Sequence, residues 1–393
     1  MELDFNKIFI IPTTALRLAR AHPYIPRDKK WILQFVTVHS LFTLTFLLIL
    51  YNIFCHDLKA NNFTQTCQNG VLFVVYIVIS YQYGVLLTYQ NTLVGLIADM
   101  NKDFQTSKDL PPKERDSIKK YINQGLWVCK QWLFLTISGC AIFLFKNLGL
   151  MLYYYCMNEF RLVPFYEVVL YPPIMEENRD NIFVYLLMYA IMLLFSAYSA
   201  LMYAAFVPLG PIFILHACGQ LVLVKLRIDD LFVECDDEVI RKKLKGIILH
   251  LQYVHSFVDR IQQVFKIGYE LTLKFTALIL PITIYAVLEG FYRGEVNVEF
   301  VTFIVGGVMI SGSPCYYSDL LMEKGEDVRM SLYTCGWEQH YDRRTRTTLQ
   351  LMLQNALKPI AIQTVFTVMC LDALTDLFQQ SYAIFNLMNC MWN

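Results

Sequence analysis

The sequence predicts an all-α membrane protein with seven transmembrane helices, and three observations support this class. Of the 393 residues, 56% are hydrophobic and only 17% are charged, whereas soluble proteins usually carry about 25% charged residues. Seven apolar stretches are each long enough to cross a bilayer, which takes roughly 20 helical residues. Finally, 27 of the 33 Lys and Arg residues lie in the first, third, fifth and seventh of the eight polar pieces between these stretches.

The alternation of basic residues predicts the orientation of the chain. Loops rich in Lys and Arg stay in the cytoplasm, so we expect the amino terminus inside and, after seven crossings, the carboxyl terminus outside. Residues 1–30 are polar, so we expect no cleaved signal peptide and a first apolar stretch that directs insertion into the plasma membrane. Because the basic residues are spread over four loops that also carry acids, no nucleic-acid site is expected.

Seven helices and the loops between them divide the chain into regions. The expected segments run from Trp31 to Ile53, Val71 to Leu96, Trp132 to Tyr154, Ile182 to Val207, Tyr269 to Leu288, Phe300 to Leu321 and Ile360 to Met388. The expected regions are a cytoplasmic amino terminus (1–30), segments one to four (31–207), a cytoplasmic helical region (208–268), segments five and six (269–321), cytoplasmic anchor helices (322–359), and segment seven with an outside carboxyl end (360–393).

The first outside loop contains a glycosylation acceptor and two cysteines. Asn62 begins the tripeptide Asn-Phe-Thr, which agrees with an extracellular position. Cys55 and Cys67 could form a disulfide there or remain free thiols. The cysteines show no Cys-x-x-Cys spacing, and His250 and His255 are five residues apart, off a shared helix face. We therefore expect no metal site and no cofactor.

The second outside loop, from Cys156 to Asn181, is long and rich in aromatic and aliphatic residues. Apolar loops of this length are rarely left in water. Two interpretations remain open: the loop covers a site in the outer half of the helices, or it packs against helix ends.

The inside regions predict additional helices below the membrane. Prolines at 208 and 211 interrupt the fourth helix, and residues 212–263 indicate two further helices separated by an acidic turn at 234–238. Between segments six and seven, apolar residues recur at helical spacing. Such a helix either lies on the lipid surface or joins a cytoplasmic bundle that holds subunits together. The anchor residues expected for the bundle are Tyr333, Trp337, Leu349 and Leu353.

The seventh segment is unusually polar for a membrane helix. Asp372 and Asp376 lie one turn apart within it, and an intramembrane charge costs roughly 2.5–3.5 kcal/mol on insertion scales. These carboxylates should therefore face water or protein, and acids along a pore would favour cations. The alternative for Asp372 is a structural hydrogen bond within the subunit.

Residues near the carboxyl end resemble the signature of insect odorant receptors. The resemblance spans about eighty residues in order and rests on Cys315-Tyr316-Tyr317, Leu320-Leu321, Glu326, Tyr333, Trp337, Arg343-Arg344, Leu349, Lys358-Pro359, Ser381-Tyr382, Phe385 and Leu387. The sister gustatory receptors, the alternative family, usually carry a Gln-Phe pair that this chain lacks after Tyr382. The odorant co-receptor has a longer loop after segment four, so this chain is similar to a ligand-tuning subunit.

The resemblance implies an odorant-gated, non-selective cation channel in a sensory neuron dendrite. Such subunits form a tetramer with the co-receptor, the seventh helices line one central pore, and the inner helices make the main contacts between subunits. By the same resemblance, Phe385 would face the constriction and Asn389 would lie one turn outward. Asp372, Asp376 and Gln380 complete the expected pore residues.

The resemblance also implies a pocket for a small volatile odorant or pheromone among segments two to six, in the outer half of the membrane. Such a site needs apolar and aromatic walls with few polar groups. The candidates are Phe73, Tyr76, Ser80, Tyr83, Phe143, Lys146, Leu150, Tyr185, Met188, Tyr189, Met192, Thr302 and Phe303. For Lys146, extension of the amine to the lipid headgroups and a polar anchor in the pocket are both open.

Two other classes fit the sequence less well. A G-protein-coupled receptor would have the opposite orientation, an Asp-Arg-Tyr-like motif after the third segment and Asn-Pro-x-x-Tyr in the seventh, and neither motif occurs. A membrane enzyme or transporter would need a nucleophile with its base, a His-Glu metal helix or an inverted repeat. We find none of these patterns, so no enzymatic activity is expected.

Overall fold

The computed structural model describes residues 4–60, 62–159, 161–167, 169–179, 181–233, 236–292, 294 and 298–392, and these residues are almost entirely helical. The chain begins with two short helices, α1 (Phe5–Ile8) and α2 (Ile10–Leu18). Phe5 and Leu16 are buried, so this segment packs into the fold instead of extending away from it.

The first membrane helices follow. α3 (Lys29–Tyr51) begins where the Asp28 carboxylate accepts a hydrogen bond from the Trp31 amide at 2.7 Å, and it continues into a π-helical turn, Asn52–Asp57. α4 (Phe63–Thr88) and α5 (Gln90–Thr106) are separated at Tyr89. The second segment expected to reach Leu96 therefore ends at Thr88, because the backbone leaves helical geometry at Tyr89 (φ −99°, ψ 24°).

Several of the remaining helices are longer than a bilayer is thick. In chain order the remaining helices are α6 (Pro112–Cys156), the short α7 (Pro173–Glu176), α8 (Ile182–Phe206), α9 (Leu209–Asp229), α10 (Asp237–Tyr292) and α11 (Val298–Thr334). At about 1.5 Å per residue, the 56 residues of α10 exceed the roughly 30 Å of a hydrocarbon core. Its first half therefore has to lie outside the membrane.

These projecting ends pack into a second helical region, which we call the basal bundle: α5, α9, the first half of α10, the end of α11, and α12 (Arg343–Asn355). α9 occupies its centre, with 16 of its 21 residues buried. The expected break at Pro208 is present, since α8 ends at Phe206 and α9 starts at Leu209. Of the expected acidic turn at 234–238, residues 234 and 235 lie outside the described residues.

The last helix, α13 (Leu371–Trp392), starts eleven residues later than the sequence suggested. After Pro359 the backbone forms a folded turn, in which the Ile362 amide donates to the Ser318 hydroxyl at 3.1 Å and the Met369 amide donates to the Ile362 carbonyl at 2.8 Å. The expected helix from Ile360 is wrong because these amides bond across the turn. A helix would have used the carbonyls four residues earlier.

Among the described residues, six helical stretches are long and apolar enough to cross a membrane. They contain α3, α4, α6, α8, α10 and α11. α13 is not among them, and its two Asp residues and many uncharged polar residues account for its lower hydropathy. With α13 as the seventh, the fold is consistent with seven membrane helices, which we call the membrane bundle.

Candidate functional site

The membrane bundle contains a partly open cavity of about 190 Å³ among α4, α6, α8, α10 and α11. Its wall is formed by Val71, Leu72, Val74, Val75, Val78, Trp132, Leu135, Thr136, Gly139, Cys140, Phe143, Tyr166, Phe195, Ser196, Ser199, Ala200, Tyr203, Thr272, Phe275, Thr276, Ile279, Leu280, Thr283, Thr302, Phe303, Gly306, Gly307 and Ile310. These side chains are predominantly aliphatic and aromatic, as expected for a small-molecule pocket. The cavity reaches the middle of the bundle, deeper than the outer half that we expected.

One end of the cavity is polar. The thiol of Cys140 lies 3.3 Å from the Ser196 hydroxyl, and the phenol of Tyr166 is within hydrogen-bonding range of the same hydroxyl. Burial raises the pKa of the Tyr166 phenol, so this group stays neutral and able to donate. The other wall hydroxyls largely donate to carbonyls of their own helices: Thr136, Ser199, Thr272, Thr283 and Thr302. A polar atom of a ligand would therefore find partners at the Ser196 end and at the wall hydroxyls of Thr276 and Tyr203, which make no hydrogen bond with the described residues.

The long loop between α6 and α8 folds inward and supplies part of the cavity wall. Asn52 makes two hydrogen bonds with the backbone of Leu170, at 3.0 and 2.9 Å, and the Asn147 amide donates to the Phe165 carbonyl at 3.1 Å. Phe165 and Tyr166 are buried. The loop therefore packs against helix ends and also closes the cavity through Tyr166, so the two interpretations of the sequence, a cover over a site and packing on helix ends, both apply.

Lys146 connects this loop to two helices. Its ammonium lies 2.7 Å from a carboxylate oxygen of Glu299 on α11 and 2.8 Å from one of Glu167 in the loop. Glu299 is buried, and an unpaired buried carboxylate would be costly. The Lys146 amine therefore neutralises two carboxylates and does not line this cavity, an arrangement that neither interpretation of the sequence included.

Three of the expected ligand-binding residues line the cavity: Phe143, Thr302 and Phe303. On α4, four others face different neighbours. Phe73 and Tyr76 stack on Phe46 of α3, with ring centroids 5.4 and 3.9 Å apart. The Tyr83 ring lies 5.2 Å from that of Phe35, and Ser80 is half-buried and does not line the cavity.

The expected residues near the start of α8 also lie outside the cavity. The Tyr185 hydroxyl donates to the Val163 carbonyl at 3.0 Å, and the Tyr189 ring lies 5.4 Å from that of Phe165. Met188 and Met192 are buried in the core, and Leu150 on α6 is half-buried away from the cavity. The part of α8 that lines the cavity begins further along, at Phe195.

Sequence reasoning missed the polar end of the cavity and the whole contribution of α10. Ser196 and Tyr203 lie on a helix that is apolar on every side, so its sequence gives no signal of which face points inward. Tyr166 lies in the second outside loop, and nothing in the apolar sequence of that loop distinguishes it from its aromatic neighbours. The useful signal would have been small residues, since Gly139 and Gly306 leave room in the wall.

α13 presents an acidic and polar face that no other part of the described chain covers. Asp372, Asp376 and Gln380 are exposed, whereas Leu377, Ser381 and Met388 are buried on the opposite face. Asp372 makes no hydrogen bond with another described residue, so the alternative of a structural hydrogen bond is not seen in this chain.

Phe385 and Asn389 lie on a different side of the same helix. At 3.6 residues per turn, Phe385 is rotated about 140° from Asp372. Phe385 is half-buried and Asn389 is exposed. The acidic face and the Phe385 side are therefore separate surfaces of α13.

The expected anchor residues divide into two groups. Leu349 is fully buried, and Leu353 and Trp337 pack against the core. These three residues therefore make their apolar contacts within this chain. Tyr333 is 66% exposed and remains available for another surface.

The first loop and the histidines have local roles. The Asn62 side chain accepts a hydrogen bond from the Gln65 amide at 3.2 Å and caps α4, and Cys55 and Cys67 are free thiols. The two histidines bond separately, His250 to Gln220 and His255 to the Leu251 carbonyl. No cluster of three metal-ligating side chains occurs within the described residues.

Comparison with known proteins gives the family. The family model described as 7tm Odorant receptor matches residues 62–382. The chain belongs to the odorant receptor family. It is thus a multi-pass membrane receptor of olfaction and not an enzyme, and the resemblance in the carboxyl-terminal residues is confirmed.

Solved structures agree with this fold. The olfactory receptor OR5 from Machilis hrabei is 14% identical, with a TM-score of 0.74 over 98% of this chain and 96% of that chain. The same receptor in complex with eugenol gives a TM-score of 0.76, with 98% of both chains covered and 14% identity. At this identity the similarity supports the fold alone. A search of curated proteins found no match.

Proposed function

We propose that this chain is the ligand-tuning subunit of an odorant-gated, non-selective cation channel in the plasma membrane of a sensory neuron dendrite. The observation that carries odorant binding is the mainly apolar cavity within the membrane bundle, with one polar end, in a chain of the odorant receptor family. Small, mostly apolar molecules match this wall, and Tyr166 and Ser196 provide one hydrogen-bonding position.

The cavity limits the size and affinity of the ligand. An apolar cavity of about 150 Å³ accommodates benzene, so about 190 Å³ suits a ring with a short polar substituent. Eugenol, found in the Machilis hrabei receptor, is a substituted phenol. Burial of about 300 Å² at ~25 cal/mol/Å² yields roughly 7 kcal/mol, and association costs at least about 4 kcal/mol. The difference, at most about 3 kcal/mol, corresponds to weak binding in the millimolar range.

The exposed acidic face of α13 supports the proposal that this helix lines a cation-conducting pore. In a tetramer with co-receptor subunits, α13 and the corresponding helices of the other subunits would surround one axis, and Asp372 and Asp376 would attract cations. Moving a gate from 1:99 to 99:1 needs ~5.5 kcal/mol of differential affinity. Because so small a ligand supplies little more than that in total, the closed and open states should lie close in free energy.

The orientation follows from the basic residues. The basal bundle carries most of the Lys and Arg of the fifth and seventh polar pieces, and this charge distribution supports a cytoplasmic position for it. The amino terminus is then inside, and Asn62 and the carboxyl terminus are outside. An epitope at the amino terminus should be stained only after permeabilisation; staining of intact cells would contradict the orientation.

The cavity is tested by filling it. A Cβ at Gly139 would meet no atom within 4 Å, and this residue lines the cavity. Gly139→Leu should therefore raise the half-maximal odorant concentration at least about tenfold, since the new side chain occupies ligand volume. Gly149→Leu is the matched control, because Gly149 lies on the same helix, is equally open and does not line the cavity.

The measurement is whole-cell current in cells that express the receptor with and without the co-receptor, under a panel of volatile ligands. Currents should require both subunits. An unchanged response of Gly139→Leu at normal surface expression would contradict ligand binding in this cavity. Absence of any current across a broad panel, despite surface expression of both subunits, would contradict the channel.

A further inference from the structure

A second site lies outside the cavity, in an open groove of about 930 Å³ between α6 and α11. The two helices run antiparallel along it, so the start of α6 meets the end of α11. One end is lined by two lysines, one carboxylate and one amide: Lys119, Lys120, Asp116 and Asn123. The α6 side of the other end is lined by Trp127, Gln131 and Trp132. The groove is therefore polar, with one net positive charge, at one end and mainly aromatic at the other.

This gradient matches the depth profile of one leaflet. From Val308 to Leu320, within the expected sixth segment, α11 spans about 18 Å along the groove at 1.5 Å per residue, which is about the distance from a lipid headgroup into the acyl chains. Trp127 is 57% exposed and Tyr316, across the groove, is 52% exposed. Aromatic side chains with one polar atom favour the boundary between headgroups and hydrocarbon.

The polar end has unused binding capacity. Lys119 forms an exposed pair with Asp116 at 3.6 Å, and exposed pairs of this kind are weak. Lys120 has no ion-pair partner within the part of the chain that the structure describes. The Oε1 atom of Gln124, also in the groove wall, is buried and has no hydrogen-bond partner among those residues.

We propose that this groove binds one anionic glycerophospholipid of the leaflet that faces the basal bundle. Lys119 and Lys120 bind the phosphate, and one acyl chain lies against Trp127 and Met309. The excess positive charge at the polar end is what selects an anionic lipid, since basic grooves beside cytoplasmic helix ends attract anionic headgroups. The groove shares the Trp132 side chain with the wall of the odorant cavity and is otherwise lined by different residues.

The proposal is tested on the purified full-length receptor in nanodiscs of phosphatidylcholine with one part in five of phosphatidylserine. After extraction into mild detergent, native mass spectrometry counts the retained lipids. The double variant Lys119→Gln/Lys120→Gln should retain about tenfold less phosphatidylserine. The matched control is Lys102→Gln/Lys108→Gln, because these exposed lysines belong to the same basic piece of the chain and lie outside the groove.

Three results would overturn the proposal. Equal phosphatidylserine retention by both double variants would show that the groove lysines do not select the lipid. Equal retention of phosphatidylcholine and phosphatidylserine by the unaltered protein would exclude charge recognition. Protection of a cysteine in Ser313→Cys from a membrane-permeant thiol reagent, in neutral lipid and only in the assembled oligomer, would show that a second subunit covers the groove.

Discussion

α9 and α13 are helices of nearly equal length with opposite environments. α9 has 21 residues, 16 of them buried within its own chain. α13 has 22 residues, and outside the Leu377, Ser381 and Met388 face most of its described side chains are half-buried or exposed. The side chains of α9 are covered by the rest of the chain, whereas α13 keeps a polar face that the described part of the chain does not cover.

The difference teaches which parts of this chain serve folding and which serve assembly. α9 has no charged residue before Lys225, and a helix that is apolar on all sides has to be buried. α13 keeps carboxylates and amides on its uncovered face, where a lipid environment would be costly. Substitutions in α9 should therefore change stability, whereas substitutions on the acidic face of α13 should change assembly or ion passage.

The largest expected effect is in α9. Phe213 is fully buried, and its ring lies near those of Phe5 and Phe265, 6.2 and 6.4 Å away. Phe213→Ala should lower the free energy of unfolding by about 3–5 kcal/mol, because it removes buried area and leaves a cavity. Thermal unfolding followed by size-exclusion chromatography of the purified protein measures the loss.

The matched substitution on the other helix is Phe378→Ala in α13. Phe378 is 36% exposed, so its removal should cost less than about 1 kcal/mol. If both substitutions lowered the melting temperature equally, α13 would be packed as tightly as α9, and the distinction between folding and assembly would be wrong.

The sequence was sufficient for the positions of most helices. The lengths of the apolar stretches predicted the positions of α3, α6, α8, α10 and α11, and Pro208 predicted the break before α9. The predicted start of the last helix was wrong. The Ile362 amide donates to the Ser318 hydroxyl and the Met369 amide donates to the Ile362 carbonyl, and this folded turn depends on a contact with α11 that is distant in sequence. Hydropathy cannot detect such contacts.

Helix faces could not be predicted in the same way. On α4, Tyr76 packs on α3 whereas its neighbour Val75 lines the cavity. Both environments are apolar, so no contrast between polar and apolar residues distinguishes them. Phe143 and Phe303 were found because bulky residues are common in such walls; the partners of Lys146 were missed because Glu167 and Glu299 are distant in sequence.

A smaller effect is expected where α9 approaches α10. A Cβ added at Gly210 would overlap the Tyr269 hydroxyl. Gly210→Ala should therefore destabilise the protein by about 1–3 kcal/mol, as overpacking usually does. Gly312→Ala is the control, since the nearest atom to its added Cβ is Leu374 Cδ2 at 3.7 Å, an ordinary contact on the surface that α11 shares with α13.

The clash can be relieved from the other side. The Tyr269 hydroxyl is buried without a hydrogen-bond partner among the described residues, so Tyr269→Phe alone should change stability little. Combined with Gly210→Ala, it should restore part of the melting temperature. A double variant as unstable as the sum of the single variants would show that the backbones, and not this hydroxyl, set the close approach.

The smallest effect on stability is expected for Asp376→Asn on α13. Asp376 is exposed, so neutralising it should change the free energy of unfolding by less than about 0.5 kcal/mol. If α13 and the corresponding helices of the other subunits surround the pore, the same substitution removes negative charge from the ion path. Reversal potentials in asymmetric salt should then show a lower ratio of cation to anion permeability.

Asp376→Glu keeps the charge and should behave as the unaltered receptor. An unchanged ratio for Asp376→Asn, at normal current, would place the acidic face against a neighbouring subunit and leave the Phe385 side of α13 to line the pore.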